Sequence, residues 1–420
     1  MSVVEPEDGD SSYEVVVLGA GYAGMMATLR LARGNPPLRI ALISAQEQFV
    51  ERVRLQESIV AAVPPRIPSI SAFLAGTPIE FIRARVTSLD PMQRRVGIAT
   101  ETRKREIGFD QLVYALGSTI DVEAIPGVAE HAFRLEVGAG ARSAAALRLR
   151  LRENADRLQR VIIIGGAETG IEAAGEIKTA SPNADVFLLS RSRCASARGV
   201  GVEEAVRREL EELSVRLVDG EEVIAVRSNE VITESGRVFP YDICVWSGGL
   251  RCAAFAADAG LATDGQGRIW VNPNLRSISH PYILACGDAA RPIAPTGAPY
   301  RPSAYAALVS GAYTADCIAA ARAKRRLRPF SFSTFGQGIA IGRRGVGFFS
   351  YPDDRQTAFI LKGAAARKVR NFFVWFVTFT LKLERRWPGF FFWPGRARVS
   401  WQQATSAVQG KLSERKPWTA

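Results

Sequence analysis

Two glycine-rich turns in the sequence have a spacing that suits the binding of a dinucleotide. The first, GAGYAG at 19–24, joins a β-branched run at 13–18 to a helical stretch. In such a turn the first glycine allows a tight bend, the second admits a pyrophosphate to the backbone, and the third lets helix and strand pack closely. The helix N-terminus adds a partial positive charge that faces the phosphates. We therefore predict a dinucleotide site whose contacts are Gly19, Gly21, Tyr22, Ala23 and Gly24.

The acidic residue that usually reads the ribose, about 20 residues further on, is missing from this site. The next β-prone stretch, 38–44, ends at Ser44 instead. Ser44 or Glu47 is the candidate for the ribose contact. A Glu47 that simply faces water is the alternative.

The second turn, GGAETG at 165–170, departs from the pattern at one position. Ala167 stands where the glycine that approaches the phosphates is expected. Its methyl group would crowd a pyrophosphate, which predicts weaker or shifted binding and leaves open a fold that binds nothing. The predicted contacts of this turn are Gly165, Gly166, Glu168, Thr169 and Gly170.

The strand after the second turn, 185–190, runs into the sequence SRSR at 190–193. An acidic residue here would favour NADH, whereas a guanidinium can pair bidentately with the extra 2′-phosphate of NADPH. Arg191 and Arg193 therefore predict a preference for NADPH over NADH. The alternative is that both arginines face water.

The elements around the two turns repeat along the chain. Each turn lies between a strand and a helix, and each repeat closes with a similar strand, FDQLVYALGS at 109–118 and YDICVWSGGL at 241–250. Strands that alternate with helices predict a parallel sheet with helices on its faces. The predicted fold is therefore α/β, with two Rossmann-like dinucleotide-binding domains, the second inserted in the first, and a basic, aromatic carboxy-terminal region.

The formal net charge of +12 belongs to the carboxy-terminal quarter of the chain. Residues 1–321 carry a net charge of −4, and residues 322–398 carry a net charge of +14. A basic excess points to nucleic acid or to an anionic membrane surface. The types of residue that lie among these basic residues distinguish the two kinds of partner.

Aromatic blocks accompany the basic residues. Residues 371–381 carry no charge, and ten Phe or Trp lie between 372 and 393. As a helix the uncharged run would be about 16 Å long, far short of a hydrocarbon core of about 30 Å. Flanking cations and tryptophan predict a segment in the headgroup region of an anionic membrane, with a dimer interface or a core helix as alternatives. Because the aromatic residues form blocks instead of alternating with cations, we predict no nucleic-acid partner.

Histidine and cysteine usage argues against metal and disulfide chemistry. The two histidines are far apart in the sequence, and the five cysteines show no CxxC or CxxxxC spacing. We predict no metal site and buried free thiols in a reducing cytoplasm. The acidic amino terminus is not a signal peptide, and no apolar run reaches about 18 residues. The predicted location is cytoplasmic, peripheral on the inner face of the cell membrane.

Five motifs, in this order, give the chain a resemblance to a known family. They are GAGYAG, LVYALGS, GGAETGIEAAGE, WSGG and ACGDAA. Together they resemble the flavoproteins with two dinucleotide-binding domains, the pyridine nucleotide-disulfide oxidoreductase superfamily, and look most like its type II NADH dehydrogenases. The resemblance implies FAD at the first turn and NAD(P)H at the second. The implied divisions are a disordered lead at 1–12, an FAD domain at 13–120 and 269–325, an NAD(P)H domain at 121–268, and a carboxy-terminal region with the membrane-associating segment at 326–420.

The same resemblance implies contacts outside the two turns. For FAD they are Arg52, Val86, Ala115, Gly117, Gly287, Asp288 and Ala289. Asp288 would meet the ribityl and phosphate part of the flavin, and Arg52 would lie near the pyrophosphate unless it is a surface arginine. For the nucleotide they are Gly248 and Glu172. The Glu172 carboxylate would orient the nicotinamide carboxamide, and an ordinary helix glutamate is the alternative.

Two departures from the family pattern shape the expected reaction. No CxxxxC follows the first turn, so the flavin must pass its electrons directly to an acceptor. The Ala-Gln-x-Ala-x-Gln stretch of the type II enzymes reads AYAALV at 304–309, which removes both glutamines and leaves Tyr305 to line the acceptor site and to stack on an aromatic substrate.

The expected reaction is hydride transfer from NAD(P)H to FAD, followed by reduction of a lipophilic acceptor, with a quinone first among the candidates. The alternatives are a reductase that tailors an aromatic secondary metabolite and an NAD(P)H-sensing flavoprotein with slow turnover. A homodimer is left open.

Overall fold

A computed structural model describes residues 12–33, 37–60, 68–137, 140–153, 157–334, 336–350, 356–393 and 399–413. The predicted disordered lead lies outside these ranges except for Ser12. The strands are β1 Ser12–Leu18, β2 Ile40–Ser44, β3 Ile79–Arg83, β4 Arg85–Asp90, β5 Arg95–Ala99, β6 Lys104–Tyr114, β7 Thr119–Ile120, β8 Phe133–Arg134, β9 Arg160–Ile164, β10 Asp185–Ser190, β11 Arg216–Asp219, β12 Val223–Val226, β13 Glu230–Thr233, β14 Val238–Pro240, β15 Ile243–Trp246, β16 Leu250–Arg251, β17 Ile269–Trp270, β18 Ile283–Ala285, β19 Ala290–Arg291, β20 Gly336–Ile341, β21 Arg344–Ser350 and β22 Gln356–Lys362. The helices are α1 Tyr22–Leu31, α2 Leu55–Ser58, α3 Ile70–Leu74, α4 Val128–His131, α5 Ala144–Glu153, α6 Glu168–Ala180, α7 Val200–Glu212, α8 Phe255–Asp258, α9 Ala304–Arg322, α10 Gly363–Arg386 and α11 Trp401–Ser413.

The first sheet has a parallel part in the order β3-β2-β1-β6-β18. The β-branched run of β1 is fully buried between its neighbours, with Val16 level with Ala41 of β2 and Leu112 of β6. The first half of β6 pairs instead with antiparallel β5, which continues to β4. Strand β18 joins this sheet after the second domain has been completed, so the first domain is assembled from both sides of an insertion.

The second sheet is parallel in the order β11-β10-β9-β15-β8. Its strand β9 leads through the second glycine turn into α6, as β1 leads through the first turn into α1. The antiparallel strands β12-β13-β14 follow as a separate sheet. The predicted α/β class with two Rossmann-like domains is confirmed.

The carboxy-terminal region is an antiparallel sheet, β20-β21-β22, with α10 packed against it. The buried residues of α10 recur at helical spacing and form one face, which also contacts α1. They are Ala366, Arg370, Val374, Val377, Thr380, Leu381 and Glu384. The opposite face exposes Phe372 and Trp375. The core-helix alternative therefore describes one face of α10, and the membrane contact of the exposed face stays a prediction.

No helix within the described residues combines the length and the apolar character needed to cross a bilayer.

Candidate functional site

The first glycine turn is packed tightly at its ends and open at its centre. A Cβ atom on Gly19 would lie 2.4 Å from the carbonyl oxygen of Ala115, and one on Gly24 would lie 1.8 Å from the carbonyl oxygen of Gly19. Gly19 also has a φ of +96°, which favours glycine. Gly21, the N-cap residue of α1, has no protein atom within 4 Å of its Cβ position. Contacts within the protein therefore require glycine at the two outer positions, and the open space at the middle position would admit a phosphate.

Asp288 and Arg52 lie on either side of Ser118. The Ser118 hydroxyl donates to Asp288 Oδ2 at 2.8 Å, and Arg52 Nη1 donates to the Ser118 carbonyl oxygen at 2.7 Å. Gly287, with a φ of +65°, would bring a Cβ to 3.0 Å from the Ala23 Cβ. The chain thus brings the AxGDxA turn, the 115–118 segment and α1 together at one end of the first sheet.

This end of the sheet fits a flavin dinucleotide. It combines an open helix N-terminus, a carboxylate beside it and a guanidinium near it, which are the groups that the family pattern places against FAD. Gly117, with a φ of +72°, also has no atom within 4 Å of its Cβ position. Ser118 was not among the predicted contacts, although it lies directly after the predicted contact Gly117.

The remaining residues predicted for FAD occupy the surroundings of the same sheet. Tyr22, Ala23, Ala115 and Ala289 are buried, and Val86 is half-buried in β4. The hydroxyl oxygen of Ser44 accepts from the backbone of Gln46 at 3.1 Å. The Glu47 side chain is 60% exposed and lies 3.6 Å from Arg83. Ser44 therefore ends its strand as predicted, and the ribose contact of Ser44 or Glu47 stays a prediction.

The second glycine turn repeats this geometry beside β10. Gly165 has a φ of +122°, and Cβ atoms on Gly166 and Gly170 would lie 2.4 Å from Ser190 Oγ and 1.9 Å from the Gly165 carbonyl oxygen. Ala167 is the exposed N-cap residue of α6, as Gly21 is of α1. A Cβ atom on Gly248 would approach the Trp246 ring at 3.0 Å, so the WSGG stretch packs closely after β15.

Three charged side chains lie near the entrance to α6. Glu168, at the start of this helix, forms an ion pair with Arg198, and exposed Thr169 follows it. Arg301, just before α9, donates to the carbonyl oxygen of Ala197 at 2.9 Å. Neither Arg198 nor Arg301 was predicted, because Arg198 is 30 residues away from Glu168 in the sequence and Arg301 is 104 residues away from Ala197.

Arg191 and Arg193, which follow β10, differ in how tightly their side chains are held by ion pairs. Arg193 Nε donates to Glu203 at 2.5 Å, which fixes that guanidinium on α7. The Arg191 side chain is 78% exposed and lies 3.6 Å from Glu222. Of the two predicted phosphate-reading residues, Arg191 is the one that can turn toward a ligand without breaking a short ion pair.

Glu172 is buried and lies in a network that reaches the carboxy-terminal helix. Its carboxylate pairs with Arg370 of α10 at 2.7 Å and accepts from the backbone of Ala340 at 2.9 Å. One turn further along α6, Glu176 pairs with Arg367 at 2.6 Å. Burial raises the pKa of the Glu176 carboxyl, and the neighbouring Arg367 opposes that rise.

Tyr305 lies in the first turn of α9 within an aromatic cluster. Its ring meets Phe332 and Phe391 edge-on, with centroid distances of 6.1 and 6.4 Å. The predicted acceptor-lining residue therefore contacts the segment that follows α10. The N-cap of α9 is Ser303, whose hydroxyl oxygen accepts from the backbone of Ala306 at 3.0 Å.

The five cysteines are free and buried, as predicted. Burial raises the pKa of each thiol to about 12. A thiol with this pKa is a poor nucleophile at neutral pH. The described part of the chain also contains no group of histidine, cysteine and acidic side chains that could hold a metal ion.

Comparison with known proteins identifies relatives along most of the chain. A family described as pyridine nucleotide-disulphide oxidoreductase matches residues 13–311. The NADH dehydrogenase-like protein MT1860 of Mycobacterium tuberculosis is 28% identical over 302 residues, which cover 66% of this chain and 72% of that protein. The demethylphylloquinone reductase NdbB of Synechocystis is 25% identical over 370 residues, which cover 80% of this chain and 86% of that protein.

Solved structures share the fold at lower identity. NDH2 of Plasmodium falciparum superposes with a TM-score of 0.71 at 14% identity and covers 93% of this chain and 100% of its own. An NAD-dependent persulfide reductase from A. fulgidus gives a TM-score of 0.68 at 21% identity and covers 80% of this chain. The match spans 64% of that persulfide reductase, which is less than two thirds of its length. At these identities the likeness bears on the fold alone.

Proposed function

The chain belongs to the pyridine nucleotide-disulphide oxidoreductase family, and from this premise we propose that it is an NAD(P)H:quinone oxidoreductase. FAD and NAD(P)H are its cofactors. The observation that carries the proposal is the pair of glycine turns in two parallel sheets of one chain, each leading into a helix N-terminus. The quinone as acceptor is supported by the name of the demethylphylloquinone reductase among its relatives.

The residues of the first sheet would hold FAD. The open backbone at Gly21 and the N-terminus of α1 would take its pyrophosphate, and Asp288, oriented by Ser118, would accept hydrogen bonds from ribityl hydroxyls. When bound, FAD supplies the two-electron relay between nicotinamide and acceptor. Arg52 is held by the Ser118 carbonyl oxygen and adds a positive charge at the same end of the sheet.

The second sheet would hold the pyridine nucleotide. Gly165, Gly166 and Gly170 shape the turn, and the N-terminus of α6 faces the pyrophosphate across the exposed Ala167. Glu172, four residues after the start of α6, is proposed to orient the nicotinamide. The chain has no cysteine pair with the spacing of a redox disulfide, and its thiols are buried, so the electrons would pass from flavin to acceptor without a thiol.

The acceptor range of the purified flavoprotein tests this proposal. We expect steady-state oxidation of NADH or NADPH with menaquinone or ubiquinone analogues as acceptors. Oxidation only with small aromatic acceptors would favour the alternative of a reductase for an aromatic metabolite, for which the cluster around Tyr305 is the structural argument. Flavin reduction without turnover on any acceptor would favour a nucleotide sensor. Either result would contradict the quinone reductase.

Arg191→Ala should raise KM for NADPH more than KM for NADH. The exposed guanidinium is free to pair with the 2′-phosphate, which NADH lacks. We expect a KM rise of about tenfold for NADPH, the scale of one exposed charge-assisted contact. The measurement is the KM for both nucleotides in stopped-flow or steady-state assays. Arg193→Ala, which loses the Glu203 pair, serves as the comparison, and equal KM changes for the two nucleotides in Arg191→Ala would contradict the role.

We also propose that an aromatic surface of α10 and the following segment contacts an anionic membrane. It consists of Phe372, Trp375, Trp387, Phe390 and Phe392, whose exposed fractions lie between 48 and 72%. Lys368, Lys382 and Arg386 are exposed on the same helix. Exposed aromatic residues beside cations are typical of a helix in the plane of the headgroups. We place this surface on the cytoplasmic face of the membrane, and a homodimer remains a prediction.

Replacing Phe372 and Trp375 by serine should weaken vesicle binding and leave the fold intact. Both side chains are about half exposed, so few core contacts are lost, while two interfacial aromatic rings are removed. Sedimentation with vesicles that contain anionic lipid should show a loss of about tenfold or more in the bound fraction. Leu158→Ser removes a side chain that is 78% exposed on the nucleotide domain and is the control. Equal binding of both variants would contradict the proposed surface.

A further inference from the structure

A buried network joins α6 to α10 through Arg370. Arg370 of α10 and Glu172 of α6 are 3% and 5% exposed. The two residues are 198 positions apart in the sequence, and Arg370 donates to Glu172 through both Nε and Nη2. The other members of the network are Gln56 and Glu57 of α2 and the backbone of Ala340 in β20.

The Glu172 carboxylate is held in one orientation. Oε1 accepts from the Ala340 backbone at 2.9 Å and from Arg370 Nε at 3.2 Å. Oε2 accepts from Arg370 Nη2 at 2.7 Å and from the Gln56 amide. Four donors on two oxygens leave the carboxylate no free rotation about its last torsion angle.

Arg370 connects this carboxylate to the segment that carries Arg52. Its Nη2 also donates to the carbonyl oxygen of Val53 at 2.8 Å, and its Nη1 pairs with Glu57. Arg52, the residue before Val53, bonds Ser118 beside Asp288. Burial opposes the charge on Arg370, but Glu172 and Glu57 together hold the pKa of its guanidinium above the usual value. The guanidinium therefore links α6 to the flavin end of the first sheet.

We propose that Arg370 is a positioning residue, which through the Glu172 carboxylate holds this turn of α6 in place for the nicotinamide end of NAD(P)H. This inference rests on the proposed function. A planar guanidinium fixes a carboxylate at two points, whereas a buried ion pair often stabilises a protein no more than apolar residues of the same volume. The stability of the fold therefore does not by itself account for the Arg370–Glu172 pair. Because Glu172 lies on α6, the helix that follows the second glycine turn, we favour a role of the pair in the reaction. By this proposal α10 contributes to the nucleotide site through Arg370.

The neighbouring pair of Arg367 and Glu176 supplies a matched control. It joins the same two helices one turn away at 2.6 Å and buries a carboxylate in the same way. Arg367 also lies 3.8 Å from Glu57, but within the described part of the chain it forms no hydrogen bond or ion pair with Glu172. A variant at Arg367 thus loses a similar ion pair between α6 and α10 and keeps the orientation of Glu172.

The rate of flavin reduction by excess NAD(P)H, measured anaerobically by stopped flow, tests the proposal. We expect Arg370→Gln to lower this rate at saturating nucleotide by about 100-fold, the cost of misplacing an orienting group by about 1 Å. Arg370→Lys keeps the charge and loses the two-point geometry, and we expect a loss of about tenfold. Arg367→Gln should stay within about threefold of wild type. FAD content and melting temperature show which variants are folded.

A double-mutant cycle separates positioning from a structural role. If Arg370 acts through Glu172, then Arg370→Lys should lower the reduction rate much less in a Glu172→Gln background than in wild type. Equal losses in the two backgrounds, or a wild-type rate in Arg370→Lys and Arg370→Gln, would overturn the proposal. If Arg370→Gln does not fold, Arg370→Lys and the double-mutant cycle with Glu172→Gln still test the proposal. Failure of the proposed function is distinct, because then NAD(P)H would not reduce the flavin of the wild-type protein.

Discussion

Gly21→Ala should give a folded protein that has lost most of its FAD. The added methyl group meets no protein atom within 4 Å, and Gly21 has a φ of −74°, which any residue adopts. The fold therefore has no reason to resist the change. The same methyl group would occupy the space that we assign to the pyrophosphate. A clash of this kind costs about 1–3 kcal/mol, which lowers FAD affinity by about 10-fold to 100-fold.

The measurement is the ratio of flavin to protein absorbance after extensive dialysis, together with the melting temperature of the apoprotein. Gly24→Ala is the contrasting variant. Its Cβ would lie 1.8 Å from the Gly19 carbonyl oxygen, so this variant should lose the fold and FAD together. Ala167→Gly at the second turn should leave FAD content unchanged. If Gly21→Ala retained the full amount of FAD under dialysis, the first turn would not be the pyrophosphate site.

The glycine turns were predictable because they depend on local sequence. A turn of fixed length between a buried strand and a helix can adopt few backbone conformations. Gly19 and Gly24 are required because a Cβ atom at either position would collide with nearby backbone of the same domain. The presence of two sheets with parallel strands was expected from the same repeat of strand, turn and helix. The return of β18 to the first sheet was indicated by the ACGDAA motif, which the family resemblance placed beside the flavin.

The role of Arg370 was not predictable from charge and composition. In the sequence it stands with Arg367 and Lys368 as one of several cations before an apolar run, which is how it was interpreted. Its partner, Glu172, is 198 residues away, and no local rule joins them. One pattern did point inward, since Arg370 shares a helical spacing with Val374, Val377 and Leu381, all of them buried. A cation on the apolar stripe of a helix predicts a buried partner.

The structure of α10 narrows the membrane prediction to the exposed face of the helix and the exposed aromatic residues that follow it. Residues 371–381 were interpreted as one apolar block at the membrane surface. In the structure, part of this block lies on the buried face of α10 and packs in the core of the protein. Phe391 and Trp393 are likewise buried, and Trp393 Nε1 donates to the Ser331 carbonyl oxygen at 3.0 Å. Only the exposed aromatic residues are available to a membrane. Point substitutions on that face therefore test the surface better than removal of the region, which would open the core.

Glu384→Ala should destabilise the protein by about 3 kcal/mol or more, the cost of leaving buried hydrogen-bond donors unmatched. Glu384 is fully buried in the last turn of α10, where its carboxylate accepts from the backbone of Gly389 at 2.5 Å and of Phe391 at 2.8 Å. Arg30 of α1 lies 3.2 Å from the same carboxylate and also donates to the Phe391 carbonyl oxygen. One acid thus fastens the segment that contacts Tyr305 to the first domain.

Urea unfolding followed by tryptophan fluorescence measures the effect of Glu384→Ala, with Glu204→Ala as the control. Glu204 is an exposed helix glutamate, and its loss should change the free energy of unfolding by no more than about 0.5 kcal/mol. Arg30 keeps its bidentate bond to Asp316, at 2.8 and 3.2 Å, so the variant leaves no isolated buried charge. The lost stability should therefore come from the backbone N–H groups of Gly389 and Phe391, which lose their acceptor. We expect Phe391 and Trp393 to become more exposed before the rest of the protein unfolds. If Glu384→Ala were as stable as the control, the segment after α10 would be held by its aromatic side chains alone.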